Sequence, residues 1–230
     1  MRYHALIPAA GNGTRFGAES PKQYALLEGK PLLLHAIERL AAGFPLHMTY
    51  VVLAENDRWF DRAVGRQERV TALRCGGKTR AETVRNGLDV LSDVAADDWI
   101  VVHDAVRPCV DADSLARLRR ELADDTVGGL LATPVVCALK RADESGRSVR
   151  TEPRDALWCA QTPQMFRYRV LREALDRPGI ERCVDEAQAV EAIGAKPRLV
   201  AGNPSNLKVS YPGDLRLAAA ILAAERGATT

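Results

Sequence analysis

Two cations on one glycine-rich loop are the first residues in this sequence whose spacing suggests chemistry. The stretch runs Pro8-Ala9-Ala10-Gly11-Asn12-Gly13-Thr14-Arg15-Phe16-Gly17 and continues through Ser20-Pro21-Lys22-Gln23. Glycines and other small residues let backbone N–H groups approach an anion closely and form a concave nest. Arg15 and Lys22 beside such a nest suit a triphosphate, whose negative charge grows on the bridging oxygen as pyrophosphate leaves. Two other phosphate-binding patterns do not fit this loop. The dinucleotide fingerprint would need glycine at Phe16, and the loop contains no Gly-Lys-Ser or Gly-Lys-Thr.

Three further groups of residues carry polar chemistry. In Ile100-Val101-Val102-His103-Asp104-Ala105-Val106-Arg107-Pro108 an apolar run ends in two polar side chains. Asp104 there can accept from sugar hydroxyls or help hold Mg²⁺ through water, and Arg107 can pair with a phosphate or orient Asp104. His103 at a strand end reads as a satisfied structural donor rather than a catalytic base. In Gly76-Gly77-Lys78-Thr79-Arg80-Ala81-Glu82-Thr83, Thr79 and Glu82 match a helix capping box, and open amides and hydroxyls there could also read a base and ribose. Finally, Asn206-Leu207-Lys208-Val209-Ser210 reads as a short strand with a half-buried lysine, so Lys208 is a candidate phosphate ligand. No Ser-His-Asp, Cys-His or HExxH arrangement is legible. In-line phosphoryl transfer needs positioning and electrostatic stabilisation rather than a protein nucleophile.

These groups must be held by an alternation of strands and helices. Apolar, β-rich runs cover residues 5–7, 50–54, 100–103, 129–136 and 199–201, and helical periodicity covers 32–42, 79–91, 113–123, 184–193 and 214–225. Strand-then-helix order predicts an α/β fold, with a doubly wound, mostly parallel sheet in a single domain over residues 1–230. Ligands of such sheets sit beyond the carboxyl ends of the strands, where the candidate groups fall. One polar, turn-rich segment, Lys140-Arg141-Ala142-Asp143-Glu144-Ser145-Gly146-Arg147-Ser148, interrupts the rhythm. It reads as a projecting hairpin within an arm of about residues 137–157, either a solvated excursion or a dimerisation arm. The net charge of +2 gives no reason to expect nucleic acid or a membrane surface as partner. No segment is apolar long enough for an export signal or a membrane span, so the expectation is a cytoplasmic protein. Five scattered cysteines without a CxxC pair point to reduced thiols rather than disulfides or zinc.

The blocks at 8–13 with Arg15 and Pro21-Lys22-Gln23-Tyr24, Gly76-Gly77 with Arg80, and Val102-His103-Asp104-Ala105 with Arg107-Pro108 closely resemble those of the 2-C-methyl-D-erythritol 4-phosphate cytidylyltransferases. The resemblance continues through Leu157-Trp158, Gln161-Thr162-Pro163-Gln164, Asp185-Glu186-Ala187 and Asn206-Leu207-Lys208-Val209. It implies a Rossmann-like fold, a homodimer whose arm reaches the neighbouring active site, and a reaction of CTP with a polyol phosphate in non-mevalonate isoprenoid synthesis. It further implies Mg²⁺ bound mainly through the CTP phosphates, with no metal site of the protein's own. In that reading Arg15 and Lys22 stabilise the transition state, and Arg154 (across the dimer) and Lys208 position the attacking phosphate. Asp104 and Arg107 hold the polyol, while Pro8, Ala9, Ala10, Gly11, Gly13, Gly76, Gly77, Thr83 and Ala105 contact CTP. Two positions depart from the family pattern: Val184 stands where a threonine is usual, and Cys137-Ala138 where Asp-Thr is usual. They leave ribitol 5-phosphate open as an alternative acceptor, and a binding protein without turnover is the reading from another class.

Overall fold

The computed structural model of the chain describes residues 1–11 and 20–227, so Gly13 and Arg15 lie outside the described residues. The chain begins with β1 (Tyr3–Pro8), the short pair β2 (Leu26–Leu27) and β3 (Lys30–Pro31), α1 (Leu32–Gly43), β4 (Leu46–Val52) and α2 (Phe60–Ala63). It continues with β5 (Val70–Leu73), α3 (Arg80–Asp89), β6 (Trp99–Val102), α4 (Ala112–Glu121) and β7 (Gly128–Pro134). A hairpin of β8 (Leu139–Ala142) and β9 (Ser148–Glu152) follows, then β10 (Trp158–Arg167), α5 (Tyr168–Leu175), α6 (Glu186–Ala192), β11 (Arg198–Ala201) and α7 (Asp214–Gly227).

Seven strands form one sheet in the order β11-β7-β10-β6-β1-β4-β5. All neighbours are parallel except β10, which runs antiparallel to both β6 and β7. The strands alternate their side chains between two cores, as the period of two requires. Ala5, Ile7, Val51, Val101, Leu131 and Val200 pack with Leu33, Ile37, Leu40, Leu115, Leu118 and Leu222 of α1, α4 and α7 on one face. Leu6, Val52, Ile100, Val102, Leu130 and Phe166 pack with Val84, Leu88, Leu171, Leu175 and Val190 of α3, α5 and α6 on the other. All four residues of β6 are fully buried, which explains why that strand lacks polar alternation. The expected doubly wound, mostly parallel α/β sheet is what the chain forms. Among the described residues no helix is long and apolar enough to cross a membrane.

Five elements have no counterpart in the sequence reading: β2, β3, α2, α5 and β10. β10 carries Pro163 and a register irregularity between Ala160 and Gln164, so it shows no clean strand pattern, yet it fills the gap between β6 and β7. One expected strand is overturned. Residues 206–210 form an irregular segment rather than a strand, and the Lys208 side chain is 44% exposed. The segment's backbone groups bond outside any ladder: Val209 N–H donates to Val106 O (2.9 Å), and Ser210 N–H donates to Asp214 Oδ2 at the start of α7 (2.7 Å).

Candidate active site

Doubly wound sheets open a crevice where consecutive strands depart to opposite sides. Here β4 and β5 lie to one side of β1 and β6 to the other, so the loops after β1 and β6 border that crevice. A cleft of about 480 Å³ occupies the position. It brings together Pro8, Ala9, Ala10, Gly11, Lys22, Gly77, Thr83, Asp104, Ala105 and Lys208, all of them expected there, with Arg80, Lys78 and Thr79 beside them. Gly76, Arg107 and Arg154 do not line it. Arg154 belongs to the arm segment, where its guanidinium donates to the carbonyl of Val136.

The first wall is anchored by buried side chains. Ala9 N–H donates to Val52 O (2.8 Å), and the Gln23 amide donates to Ala9 O (2.7 Å). Residues Lys22–Tyr24 form one turn of 3₁₀ helix, and Tyr24 OH donates to Asp57 (2.8 Å). Lys22 thus directly precedes two tethered residues and lines the cleft.

The second wall is the start of α3. Thr79 caps the helix, with the reciprocal Thr79–Glu82 bonds of a capping box. The Gly77 amide donates to Thr83 Oγ1 (3.1 Å), and the Lys78 and Thr79 amides donate to Glu82 Oε2 (2.7 and 3.1 Å). These amides are therefore engaged internally, which corrects the expectation that they stand open for a ligand. A Cβ on Gly76 would lie 2.3 Å from Ala10 Cβ and 2.8 Å from Leu53 O, so that glycine permits close packing behind the cleft. The Gly-Lys-Thr ending of a Walker A pattern does occur at Gly77-Lys78-Thr79, but Ala72 stands where the full pattern needs its first glycine, and Thr79 serves as the cap.

Asp104 holds the third wall. Its carboxylate is almost completely buried and pairs with Arg80 Nε (3.1 Å), Arg107 Nε (3.2 Å) and Lys208 Nζ (3.0 Å). Burial opposes its charge, but Arg80, Lys208 and Arg107 outweigh that and hold it well below the usual carboxylate range. Arg107 also donates to Asn206 O (2.6 Å), so of its two expected roles the structure gives it that of orienting Asp104. Arg80 reaches past Asp104 to Glu186, which is 1% exposed and whose pKa is raised by burial despite that partner. Burial works against the Arg80 charge as well, and the two carboxylates more than compensate.

Behind Asp104 lies a polar relay. Asp104 N–H donates to Thr162 Oγ1 (3.0 Å), and Thr162 Oγ1 lies 2.9 Å from His103 Nδ1. His103 Nε2 is 3.1 Å from Arg107 O. Burial pushes the His103 pKa down to about 4, so the ring is neutral at pH 7. A carbonyl only accepts, so Nε2 carries the proton and the Thr162 hydroxyl donates to Nδ1. His103 is the structural donor its position suggested. The sequence reading gives Arg80, Glu186 and Thr162 no role in the site. Each lies within a recognisable block, but nothing in the sequence pairs residues 106 apart, as Arg80 and Glu186 are.

Comparison with known proteins agrees with this fold. A family profile described as 2-C-methyl-D-erythritol 4-phosphate cytidylyltransferase matches residues 3–224. A protein of that name from Dechloromonas aromatica is 53% identical over 98% of this chain and 99% of its own. Another from Laribacter hongkongensis is 53% identical over 95% of both. Among solved structures, a 4-diphosphocytidyl-2C-methyl-D-erythritol synthase superposes with a TM-score of 0.85 at 37% identity, over 96% of this chain and 99% of that one. The Francisella tularensis 2-C-methyl-D-erythritol 4-phosphate cytidylyltransferase gives 0.84 at 30% identity, over 96% and 100%.

Proposed function

The chain belongs to the 2-C-methyl-D-erythritol 4-phosphate cytidylyltransferase family, and from that premise we propose that it transfers CMP from CTP to 2-C-methyl-D-erythritol 4-phosphate. The products are 4-diphosphocytidyl-2-C-methyl-D-erythritol and pyrophosphate. The observation that carries this reading is the convergence of Lys22, Lys208 and the Pro8–Gly11 backbone on one cleft with Asp104 at its edge.

The acceptor's phosphate oxygen attacks the α-phosphorus of CTP, and the bond to the bridging oxygen breaks to release pyrophosphate. Both reactants are anions, so the protein's task is to hold them in line and neutralise charge that grows on the leaving group. Lys22, together with Arg15, acts on the triphosphate side. Lys208 lines the cleft beside Asp104 and draws the acceptor phosphate toward the α-phosphorus. Asp104, kept ionised by its cations, accepts from the polyol hydroxyls, and Arg107 fixes its orientation. Ala105 and Thr83, which line the same cleft, contact the cytidine in this reading.

Among the described residues no group of three or more His, Cys, Asp or Glu side chains is arranged to hold a metal ion. Asp104, the one carboxylate among the described lining residues, already has both oxygens in ion pairs. This donor set fits a Mg²⁺ held mainly by phosphate oxygens of CTP, with Asp104 contributing through water. Bound there, the ion supplies further neutralisation of the pyrophosphate charge.

Arg154 acts on a second copy's cleft. Supporting this, it lies off the cleft of its own chain, next to exposed apolar residues Val136 (78%), Leu157 (43%) and Trp158 (38%). Val184 is also exposed and borders a separate groove with Trp158 and Leu199.

Pyrophosphate release by the purified protein with Mg²⁺ tests the assignment, pairing CTP, UTP, ATP and GTP with methylerythritol phosphate and ribitol 5-phosphate. Release with CTP and methylerythritol phosphate alone is expected. Release only with ribitol phosphate changes the acceptor, and none from folded protein favours binding without turnover. For the arm, mixing inactive Lys22→Ala and Arg154→Ala proteins restores roughly a quarter of wild-type activity if Arg154 works across a dimer. No recovery after subunit exchange overturns that arrangement.

A further inference from the structure

The ion-paired set around Asp104 holds two carboxylates, Asp104 and Glu186, and three cations, Arg80, Arg107 and Lys208. The two guanidiniums alone balance the two carboxylates. The Lys208 charge is surplus, and it is also the least fixed. Arg107 is tied to Asn206 O and Arg80 to Glu186, whereas the Lys208 side chain is 44% exposed against 22% and 11% for Arg80 and Arg107. An ammonium on a flexible stem can exchange one oxygen partner for another more readily than a planar fork held at two points.

The division of Asp104 between its partners fits such an exchange. Oδ1 pairs with Arg80, while Oδ2 pairs with both Arg107 and Lys208. When Lys208 departs, each oxygen keeps one guanidinium, so no buried carboxylate is left uncompensated. Without Arg80, Oδ1 would have no cation, and Asp104 would hold Lys208 against any competing anion.

We propose that Arg80, pinned by Glu186, is a positioning residue whose charge lets Lys208 leave Asp104 for the phosphate of the acceptor. This rests on the reading of Lys208 as an acceptor-phosphate ligand. It assigns to the Arg80–Glu186 pair a role in acceptor binding that neither residue performs by touching substrate.

Steady-state kinetics of Arg80→Met, Lys208→Ala and the double variant test it, with CTP and Mg²⁺ saturating and methylerythritol phosphate varied. Lys208→Ala should raise the acceptor KM about 10-fold or more, and Arg80→Met about 5-fold, while the KM for CTP in Arg80→Met stays within about twofold. Because Arg80 acts through Lys208, the double variant should match Lys208→Ala within about twofold. Effects that multiply, or an unchanged acceptor KM in Arg80→Met, overturn the proposal. An unchanged KM in Lys208→Ala overturns instead the phosphate role on which it rests. Should Arg80→Met fail to fold by circular dichroism, Glu186→Gln keeps the guanidinium and frees its anchor. That variant should raise the acceptor KM by a smaller factor, and no rise there also overturns the proposal.

Discussion

Arginines and carboxylates meet in two places in this chain, with opposite surroundings. At the cleft, Arg80 and Arg107 flank Asp104 and Glu186, whose side chains are 8% and 1% exposed. In the arm, Arg141 pairs with Glu152 across the β8–β9 hairpin and Arg150 pairs with it along β9, with the arginine side chains about 60% exposed. The chemical groups are the same, but water screens the second set and is largely excluded from the first. Burial turns an interchangeable surface contact into a fixed scaffold, because each buried charge must keep its partner or be neutralised. The Asp104 wall of the cleft is therefore held by its own charges. The arm presents a charged hairpin whose pairs do little to hold it in place.

Removing a partner on each side should expose this contrast most clearly. Arg80→Met leaves Glu186 and Asp104 short of a buried cation and should cost about 3–5 kcal/mol of unfolding free energy, measured by urea denaturation. A loss below about 1 kcal/mol would mean that the cluster is no better shielded than the arm. Lys22→Ala probes the cleft for catalysis rather than stability. Turnover should fall by about 10²–10³ with an unchanged urea midpoint, and wild-type activity would remove Lys22 from the mechanism.

Acid should also separate the two regions. His103 titrates near 6.5 in the unfolded chain but at about 4 when buried. Between those values the unfolded state binds the proton and the native state does not, so stability falls as pH drops through this window, by about 3 kcal/mol in full. His103→Gln should flatten that slope in urea titrations at several pH values. The His4 pKa, lowered mainly by burial, leaves a remainder of the same sign. An unchanged slope would show that His103 is protonated in the folded protein. The smallest effect belongs to the arm: Arg141→Ala should leave the urea midpoint unmoved, and a clear drop would show that the hairpin's pairs matter.

The sequence patterns were read correctly where the signal was local. Apolar runs gave β1, β6 and β7, helical periodicity gave α1, α3 and α4, and the capping box placed the start of α3 at Thr79. Glycines, lysines and Asp104 near strand ends marked the cleft because a doubly wound sheet leaves its crevice there. Reading failed where a residue's role depends on distant partners. Lys208 looked like a strand lysine, yet its position is set by Asp104, Val106 and Asp214. β10 was hidden by Pro163 and gains its place only by bridging β6 and β7.

The sequence by itself determined the two-faced apolar patterning that requires a covered, mostly parallel sheet, along with the residue types and family blocks that mark the cleft. Only the tertiary structure decided which charges meet. Arg80 finds Glu186 from 106 residues away, and Thr162 finds His103 from 59. Periodicity acts over a few residues and is written into the chain, whereas electrostatic pairing depends on distance in space and on the exclusion of water. Both are set only once the sheet has brought β6, β10, α3 and α6 together.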